Sequence, residues 1–313
     1  MKELSKKKEI LEYIEQHVHS QDVEWSKDVI KKLKEFSAQG KMIRGSLFLH
    51  AYKLFGGEKE YTSVAAALEL TQSGILAHDD VMDKDEFRRG KKTIHEQYKS
   101  LVTDTHYGYS MAICFGDIAF FESFKHLPPE VIPIFSEMMT LCAYGQMQDI
   151  HFTYSDREVS VEQILDVYTN KTATYTFSLP LMLAAGLTGK DVDTVKQLGI
   201  HLGIIFQIVD DYIGIFEELE KVGKEPGQDF KENKKTLYRY FLLQKDPSLQ
   251  SYFSRSISAE ELEFLREKVK TILQPVDEII NYHQEQVEHY IAKLDCDPTF
   301  FKELAAYNLS RKK

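Results

Sequence analysis

Two clusters of aspartates are the residues of this chain whose types and spacing could carry chemistry. Asp79, Asp80 and Asp83 close one apolar stretch, and Asp210 and Asp211 close a second one much further along. A helix turns once in 3.6 residues, so Asp79 and Asp83 project from one face, one turn apart. Because carboxylates held that close repel each other, the pair predicts a bound divalent cation with oxygen ligands.

Basic residues follow both acidic clusters. Arg88 and Arg89 come soon after the first cluster, and Lys224 and Lys234 come after the second. Guanidinium forks and ammonium groups are common partners of phosphate oxygens, and magnesium binds both carboxylate and phosphate oxygens. Acids, a cation and basic groups at the ends of apolar helices therefore predict a diphosphate substrate. The repeated order predicts two helices that face each other across one cavity.

Two more basic motifs fit the same ligand. Lys41 and Arg44 are three residues apart at the start of a predicted helix, so they would share a face and clamp one anion. Lys171 and Thr172 offer a cation and a hydroxyl at the edge of an apolar stretch. Each motif alone is equally typical of an exposed surface. Only their combination indicates a phosphate site.

The elements that must position these residues are predicted to be helices. Prolines and glycines are few, at 8 and 16 in 313 residues, and long stretches have helical spacing. Ser160 and Ser258 each stand three residues before a glutamine or glutamate, which predicts capping boxes that open two helices. No alternating strand pattern of useful length is present. The predicted fold class is all-α, and the uniform composition predicts a single domain over residues 1–313.

Composition limits the remaining function classes. The net charge of −10 disfavours nucleic acid as a partner. The N-terminus is polar and rich in lysine, without the apolar segment of a secretion signal, and no apolar run approaches the ~20 residues of a membrane span. The three cysteines have no ligand spacing, as expected of reduced residues. The sequence therefore predicts a cytoplasmic protein without a transmembrane segment and without a nucleic-acid partner.

The order of these motifs resembles that of the trans-isoprenyl diphosphate synthases of the polyprenyl synthetase family. The matching segments are Gly40–Arg44 (GKMIR), His78–Asp83 (HDDVMD), Arg88–Gly90 (RRG), Gly145–Asp149 (GQMQD), Lys171–Thr172 (KT), Phe206–Asp211 (FQIVDD) and Gly223–Thr236 (GKEPGQDFKENKKT). The resemblance extends from residue 40 to residue 236. Seven motifs in one order are far more specific than any one of them.

The resemblance implies a single large helical bundle around a deep apolar cavity, assembled as a homodimer. It also implies a prenyltransferase that joins isopentenyl diphosphate head to tail (1′–4) to an allylic diphosphate and so makes a longer all-trans prenyl diphosphate. Ionisation of the allylic diphosphate would be assisted by magnesium, with three ions between the diphosphate and the two acidic helices. The apolar cavity would exclude water from the carbocation.

The resemblance assigns roles to individual residues. The metal ligands would be Asp79 and Asp83 for two ions and Asp210 for the third. The allylic diphosphate would be bound by Arg88, Lys171 and Lys224, with Thr172, Gln207 and Lys234 close by. The isopentenyl diphosphate would be bound by Lys41, Arg44, Gln72 and Arg89. The catalytic set would be Asp79, Asp83, Arg88, Lys171, Asp210 and Lys224.

The second acidic cluster departs from the family pattern. Gly214 lies four residues after Asp210, where many members have an aspartate, and Glu218 follows four residues later. Eight helical residues span ~12 Å, so Glu218 cannot replace the missing ligand in an unbroken helix. Asp210 is therefore expected to carry most of the third-metal role, with Asp211 and Glu218 at most bonding waters. The basic residues Arg311–Lys313 are expected to fold over the closed site.

Product length is predicted from the residues before the first cluster. In this family Thr71, Gly74 and Ile75 would line the floor of the cavity. Gly74 has no side chain to stop a growing product, which disfavours a fifteen-carbon product and predicts a twenty-carbon one, geranylgeranyl diphosphate. A longer product stays open. Aromatic residues of the next helix could restore a floor deeper down, and these are Phe115, Phe120 and Phe121.

Other function classes fit parts of the pattern. A longer-chain polyprenyl diphosphate synthase differs only in its product. A class I terpene cyclase shares the first acidic cluster and the helical fold, but it would leave Lys41, Arg44 and Arg89 without a role. A non-catalytic subunit of a hetero-oligomer does not need nearly complete motifs. A helical interaction protein predicts no magnesium-dependent binding of diphosphates.

Overall fold

The structure, a computed structural model, describes residues 5–155, 157–216 and 227–311. Of these residues, 77% are helical, and their only sheet is a hairpin of two short strands, β1 (Phe87–Arg88) and β2 (Lys91–Lys92). The all-α prediction is confirmed. The chain divides into two compact units, Met1–Pro133 with Leu183–Lys190 and Ile134–Met182 with Asp191–Lys313. A single domain over residues 1–313 stays a prediction.

The first unit contains the helix that carries the first acidic cluster. Its helices are α1 (Lys7–His17), α2 (Ser26–Ala38), α3 (Ile43–Leu54), α4 (Thr62–Asp83), α5 (Ile94–Val102) and α6 (Thr105–Phe124). α4 packs against α1, α2, α3 and α6. Its small and apolar residues from Val64 to Leu68 are at most 2% exposed, so neighbouring helices surround it on several sides. The acidic cluster therefore lies at the end of a helix that its packed neighbours hold in place.

The remaining helices include the one that carries the second acidic cluster. In chain order they are α7 (Ile132–Thr153), α8 (Val161–Val167), α9 (Leu179–Thr188), α10 (Val192–Phe216), α11 (Gln228–Glu232), α12 (Leu237–Lys245), α13 (Ala259–Lys270), α14 (Leu273–Ile291) and α15 (Thr299–Ser310), with 3₁₀ turns at Pro129–Val131 and Pro247–Tyr252. A π-helix, Tyr168–Ser178, lies between α8 and α9. α10 packs against the π-helix, α14 and α15. Both predicted capping boxes, at Ser160 and Ser258, are confirmed.

Two glycines let the π-helix lie directly against α7 and α10. A Cβ atom on Gly145 of α7 would lie 2.3 Å from the backbone nitrogen of Lys171. A Cβ atom on Gly203 of α10 would lie 2.3 Å from Cα of Ala173. No side chain fits at such distances, so these contacts are between backbones. π-helical turns are frequent at functional sites, and this one carries Lys171 and Thr172.

Among the described helices, α10 is the one whose length and composition would allow it to cross a membrane. Of its most apolar stretch, 56% is buried inside the protein. Burial of this extent is typical of the core helix of a globular protein, and Asp210 and Asp211 lie near the C-terminal end of the same helix. The absence of a transmembrane segment therefore stays a prediction.

Candidate functional site

The first acidic cluster lies at the C-terminal end of α4. The helix ends at Asp83, and Lys84 follows in the left-handed conformation with a φ of 59°. Asp80 is fully buried, whereas Asp79 and Asp83 are partly exposed. The C-terminus of a helix carries partial negative charge, which adds to the charge of the aspartates and strengthens the attraction for a cation.

Arg88 supplies one cation to this cluster. Its Nε donates a hydrogen bond to Oδ1 of Asp80 at 2.5 Å, and its Nη2 donates one to Oδ2 of Asp79 at 3.2 Å. The β1–β2 hairpin positions Arg88, and the two-residue turn of this hairpin is Arg89 (φ 52°) and Gly90 (φ 74°). Two positive φ angles are what a tight type I′ hairpin requires. The two neighbouring arginines therefore lie on different parts of the hairpin, one on the strand and one in the turn.

Burial and ion pairing act in opposite directions on the pKa values of Asp80 and of Arg88. Burial raises the pKa of Asp80 to about 7, although the attraction of Arg88 opposes this shift. Burial lowers the pKa of Arg88, but the carboxylates of Asp80 and Asp79 outweigh it, and the net shift is upward. Oδ2 of Asp80 is buried without a hydrogen-bond partner among the described residues. Asp80 therefore mainly holds Arg88, while Asp79 has the exposure that a ligand requires.

The predicted helical pairing of Lys41 with Arg44 is wrong. α3 begins at Ile43, and Met42 before it is left-handed with a φ of 53°. Lys41 therefore precedes the helix, and helical spacing does not place it on the face of Arg44. Lys41 is exposed and Arg44 is partly buried. An anion shared by these two residues would be bound by a loop lysine and a helical arginine.

Glu69 of α4 is a residue that the sequence analysis missed. It is 4% exposed, and its Oε1 accepts a hydrogen bond from the backbone N–H of Gly45 at 2.8 Å. Burial raises its pKa against the attraction of Arg44 and Arg89. A Cβ atom on Gly40 would lie 3.4 Å from Nη1 of Arg89, so this guanidinium reaches the loop before α3. Arg44 and Arg89 therefore both lie near the carboxylate of Glu69. The only feature of the sequence that could have indicated this role is the position of Glu69, an acidic residue inside an apolar run.

Gln72 lies seven residues before Asp79, two turns along the same helix. Its Oε1 is buried and has no hydrogen-bond partner in the part of the chain that the structure describes. The neighbouring Thr71 is buried and Ile75 is partly exposed. A side-chain amide offers both donors and an acceptor, so Gln72 is chemically suited to bind a polar ligand.

Gly74 is a contact point between α4 and α6. A Cβ atom there would lie 2.7 Å from Cε1 of Phe120 and 2.9 Å from the carbonyl oxygen of Gly116. The ring of Phe120 therefore fills the space that the missing side chain of Gly74 leaves. Phe115 is fully buried, whereas Phe121 is 70% exposed, so the expectation that Phe121 could form a deeper floor is wrong.

In the second unit, two lysines from separate elements meet at one carboxylate. Nζ of Lys171, on the π-helix, donates a hydrogen bond to Oδ2 of Asp149 at 2.6 Å, and Nζ of Lys234 lies 3.3 Å from the same oxygen. Asp149 is buried near the end of α7. Asp149 is the last residue of the segment Gly145–Asp149, but neither its type nor its spacing in the sequence predicts this role. Its carboxylate holds together two ammonium groups that would otherwise repel each other.

The exposed aspartate of the second acidic cluster is paired with the C-terminal end of the described chain. Nη2 of Arg311 donates a hydrogen bond to Oδ1 of Asp210 at 2.7 Å, and its guanidinium carbon lies 4.1 Å from the ring centre of Phe206. Arg311, the first residue of the predicted basic tail, therefore lies on this cluster. Lys312 and Lys313 lie outside the described residues.

Gln207 and Thr172 belong to a chain of hydrogen bonds behind Asp210. Oγ1 of Thr172 donates to Oε1 of Gln207 at 2.7 Å, and Nε2 of Gln207 donates to Oδ1 of Asp211 at 2.7 Å. The hydroxyl of Tyr168 donates to the other oxygen of Asp211. Burial raises the pKa of Asp211 well above its usual value, and the charge of a neighbouring carboxylate adds to the shift. The buried aspartate of this cluster thus has hydrogen-bond donors on both of its oxygens.

Gly214 has another carboxylate beside it. A Cβ atom on Gly214 would lie 3.9 Å from Oδ2 of Asp229, a residue of α11. Asp229 lies in the segment Gly223–Thr236, but its spacing in the sequence does not predict that it lies beside Gly214. The predicted diphosphate ligand Lys224 and the alternative acid Glu218 lie outside the described residues.

The available donors fit a hard divalent cation. Asp79, Asp83 and Asp210 offer carboxylate oxygens, which are the ligands that magnesium and calcium prefer. In the described ranges, no group of three or more histidine, cysteine, aspartate or glutamate side chains could hold a metal ion by itself. A cation bound at Asp79 and Asp83, or one bound at Asp210, would therefore need further oxygen ligands from water or from a bound diphosphate.

Comparisons with known proteins agree with this chemistry. A family model described as polyprenyl synthetase matches residues 23–274. The chain is 30% identical over 306 residues to a geranylgeranyl diphosphate synthase of Sulfolobus acidocaldarius, with 89% of each chain covered. It is 31% identical over 289 residues to a protein of the same name from Saccharolobus solfataricus, with 88% of this chain and 80% of that one covered. The fold is similar to that of a geranylgeranyl pyrophosphate synthase of Corynebacterium glutamicum, whose crystal structure contains isoprenyl diphosphate and magnesium. The two chains are 25% identical, with a TM-score of 0.85, and the match covers 99% of this chain and 97% of that one.

Proposed function

The chain belongs to the polyprenyl synthetase family, and we propose that it is a magnesium-dependent prenyltransferase that makes geranylgeranyl diphosphate. It would condense isopentenyl diphosphate head to tail with an allylic diphosphate. The match to the family model includes all seven motifs, and both relatives named above are geranylgeranyl diphosphate synthases. The Corynebacterium glutamicum structure, with its magnesium and isoprenyl diphosphate, supports the choice of ligands.

The observation that carries this proposal is the meeting of Lys171 and Lys234 at Asp149. Two ammonium groups held side by side form a preorganised site for an anion with several charges, such as a diphosphate. In the first unit, Arg88 is held in the same way by Asp79 and Asp80. Each unit thus holds basic groups in place on carboxylates before any diphosphate arrives.

The individual assignments follow the family pattern. We assign the allylic diphosphate to Arg88, Lys171 and Lys224, with Thr172, Gln207 and Lys234 close by. We assign the isopentenyl diphosphate to Lys41, Arg44, Gln72 and Arg89. Three magnesium ions are assigned to Asp79, Asp83 and Asp210, and the oxygen ligands that these aspartates cannot supply would come from the allylic diphosphate and water.

The reaction requires charge neutralisation and the exclusion of water. The allylic C–O bond breaks, and its electron pair leaves with the diphosphate. When bound, magnesium supplies Lewis-acid stabilisation of this leaving group. Arg88, Lys171 and Lys234 stabilise the same developing charge through hydrogen bonds. The double bond of isopentenyl diphosphate then attacks the allylic cation, and the proton lost from the adduct passes to the released diphosphate.

The assembly, the cellular location and the domain organisation are further parts of the proposal. We assign a homodimer, a cytoplasmic location and a single domain over residues 1–313. An exposed apolar stripe on α6 supports self-association, because such stripes are usually covered by a partner. Its members are Ile113, Ile118, Phe121 and Phe124, which are 38–70% exposed.

The proposed function is tested by incubating the full chain with magnesium, labelled isopentenyl diphosphate and allylic primers of five, ten and fifteen carbons. Chromatography of the dephosphorylated products gives both activity and chain length. We expect a twenty-carbon product from at least one primer. No elongation of any primer would exclude the synthase function, and a cyclised hydrocarbon without elongation would indicate a terpene cyclase.

Replacing Phe120 with alanine is expected to lengthen the product. The ring of Phe120 fills the space beside Gly74, and alanine would open this space to a growing chain. The measurement is the distribution of product lengths with a fifteen-carbon primer. Phe264→Ala, which changes a 41% exposed ring outside the proposed site and outside the apolar stripe of α6, is the control and should keep the wild-type product. An unchanged distribution for Phe120→Ala would show that the floor lies elsewhere.

A further inference from the structure

A buried tyrosine outside all of the recognised motifs is bonded to the second acidic cluster. Tyr168 is the first residue of the π-helix and is 5% exposed. Its hydroxyl donates a hydrogen bond to Oδ2 of Asp211 and accepts one from the backbone N–H of Leu237 at 3.1 Å. Leu237 opens α12, three residues after Lys234. One hydroxyl thus joins the π-helix, α10 and the segment that carries a proposed diphosphate ligand.

The bonds of Asp211 determine how the amide of Gln207 is oriented. The side of Gln207 that faces Asp211 is its NH₂ group, because Nε2 donates a hydrogen bond to Oδ1 of Asp211 at 2.7 Å. Its carbonyl oxygen then faces Thr172 and accepts the hydrogen bond of that hydroxyl at 2.7 Å. An NH₂ group has two hydrogens, so one serves Asp211 and the second is left for a ligand oxygen.

We propose that Tyr168 is a positioning residue for the allylic diphosphate, acting through Asp211 on Gln207 and Thr172. This inference rests on the proposed function, in which Gln207 and Thr172 lie close to that diphosphate. Tyr168 holds one oxygen of Asp211, so the other oxygen keeps a fixed place for the amide. Without the hydroxyl, the carboxylate of Asp211 can turn, and the backbone N–H of Leu237 loses its acceptor.

The chain offers a matched control in Tyr238. Its side chain is fully buried, as that of Tyr168 nearly is, and it lies close enough to Asp211 for that charge to help raise its pKa beyond the effect of burial. The hydroxyl of Tyr238 nevertheless has no hydrogen-bond partner in the described residues. Tyr238→Phe therefore removes a buried hydroxyl from the same region without breaking the chain of bonds.

The experiment compares Tyr168→Phe with Tyr238→Phe in the full chain. The measured quantities are kcat, the KM for the allylic diphosphate, the KM for isopentenyl diphosphate, and the affinity for inorganic diphosphate with magnesium by calorimetry. We expect Tyr168→Phe to raise the allylic KM by about 5–30-fold, the range that loss of one or two kcal/mol produces. The KM for isopentenyl diphosphate should not change. Tyr238→Phe should behave like the wild type.

A double-mutant cycle with Thr172→Val tests whether Tyr168 acts through Asp211 and Gln207 on Thr172. If Tyr168 acts through Gln207 on Thr172, adding Tyr168→Phe to Thr172→Val should raise the allylic KM much less than Tyr168→Phe does alone. Full additivity of the two effects, or equal behaviour of Tyr168→Phe and Tyr238→Phe, would overturn the inference. Should Tyr168→Phe not fold, Asp211→Ala removes both acceptor oxygens of the same chain of bonds and is measured in its place, with the same expected rise.

The inference and the proposed function fail in different ways. A wild-type chain that elongates no primer contradicts the proposed function. A wild-type chain that is active, with an allylic KM and a diphosphate affinity insensitive to Tyr168→Phe, contradicts only the positioning role. Thermal unfolding of each variant separates a general loss of stability from the specific rise in the allylic KM.

Discussion

Asp79→Asn is expected to lower kcat by about 10²–10³-fold, comparable to the loss of one preorganised transition-state contact. Asparagine keeps the shape of the side chain but removes the charge that a divalent cation needs. The change also weakens the contact of Nη2 of Arg88, while the bond from Nε of Arg88 to Asp80 remains. Because Asp79 is partly exposed, the fold should survive the substitution.

The measurement is steady-state turnover at saturating substrates over a range of magnesium concentrations, with circular dichroism as the test of folding. Glu86→Gln is the matched control, because it neutralises an exposed acid of the same segment. It should retain wild-type turnover. An Asp79→Asn variant with more than half of the wild-type kcat would refute the metal-ligand role of this aspartate.

Gly145→Ala is expected to destabilise the protein and to reduce its activity together. The new methyl group would lie 2.3 Å from the backbone nitrogen of Lys171, so the π-helix must move away from α7. Overpacking of this kind costs about 1–3 kcal/mol of unfolding free energy. The same shift moves Lys171 away from Asp149, and a displacement of ~1 Å in a positioning group can lower activity about 10²-fold.

Urea unfolding and steady-state kinetics measure the two effects of Gly145→Ala. Gly214→Ala is the matched control for stability, since it also adds a methyl group to a helical glycine. Among the residues that the structure describes, its nearest neighbour would be Oδ2 of Asp229 at 3.9 Å, so the methyl group has room there. This control should gain up to about 1 kcal/mol from the better helix propensity of alanine. An unfolding free energy of Gly145→Ala equal to that of the wild type would contradict the close backbone contact.

Local patterns predicted the helices and their ends well. The capping boxes at Ser160 and Ser258 form as expected, because a capping box depends only on residues three apart in one chain segment. The first acidic cluster ends α4, as the apolar run before it indicated. The shared helical face predicted for Lys41 and Arg44 is wrong, because the left-handed Met42 separates the two residues and no residue type in that segment predicts such a conformation.

The carboxylates that position the basic residues could not be predicted from the sequence. Glu69 lies near Arg44 and Arg89, and Asp149 holds Lys171 and Lys234, through contacts between residues far apart in the chain. Such partners are chosen by helix packing, which spacing along one helix does not describe. The aromatic residues of the next helix were named as a possible floor, but only the packing of α4 against α6 shows that Phe120 is the one beside Gly74.

The sequence by itself determined the all-α fold class, the two acidic clusters and the order of motifs that carries the family resemblance. These features depend on residue type and short spacing, both of which can be read from the sequence. Only the tertiary structure decided which basic group is held by which carboxylate, and that Tyr168 belongs to the second acidic cluster. The reason is that hydrogen bonds between separate elements depend on backbone approaches of a few ångströms, and glycines such as Gly145 and Gly203 permit these approaches only in the packed protein.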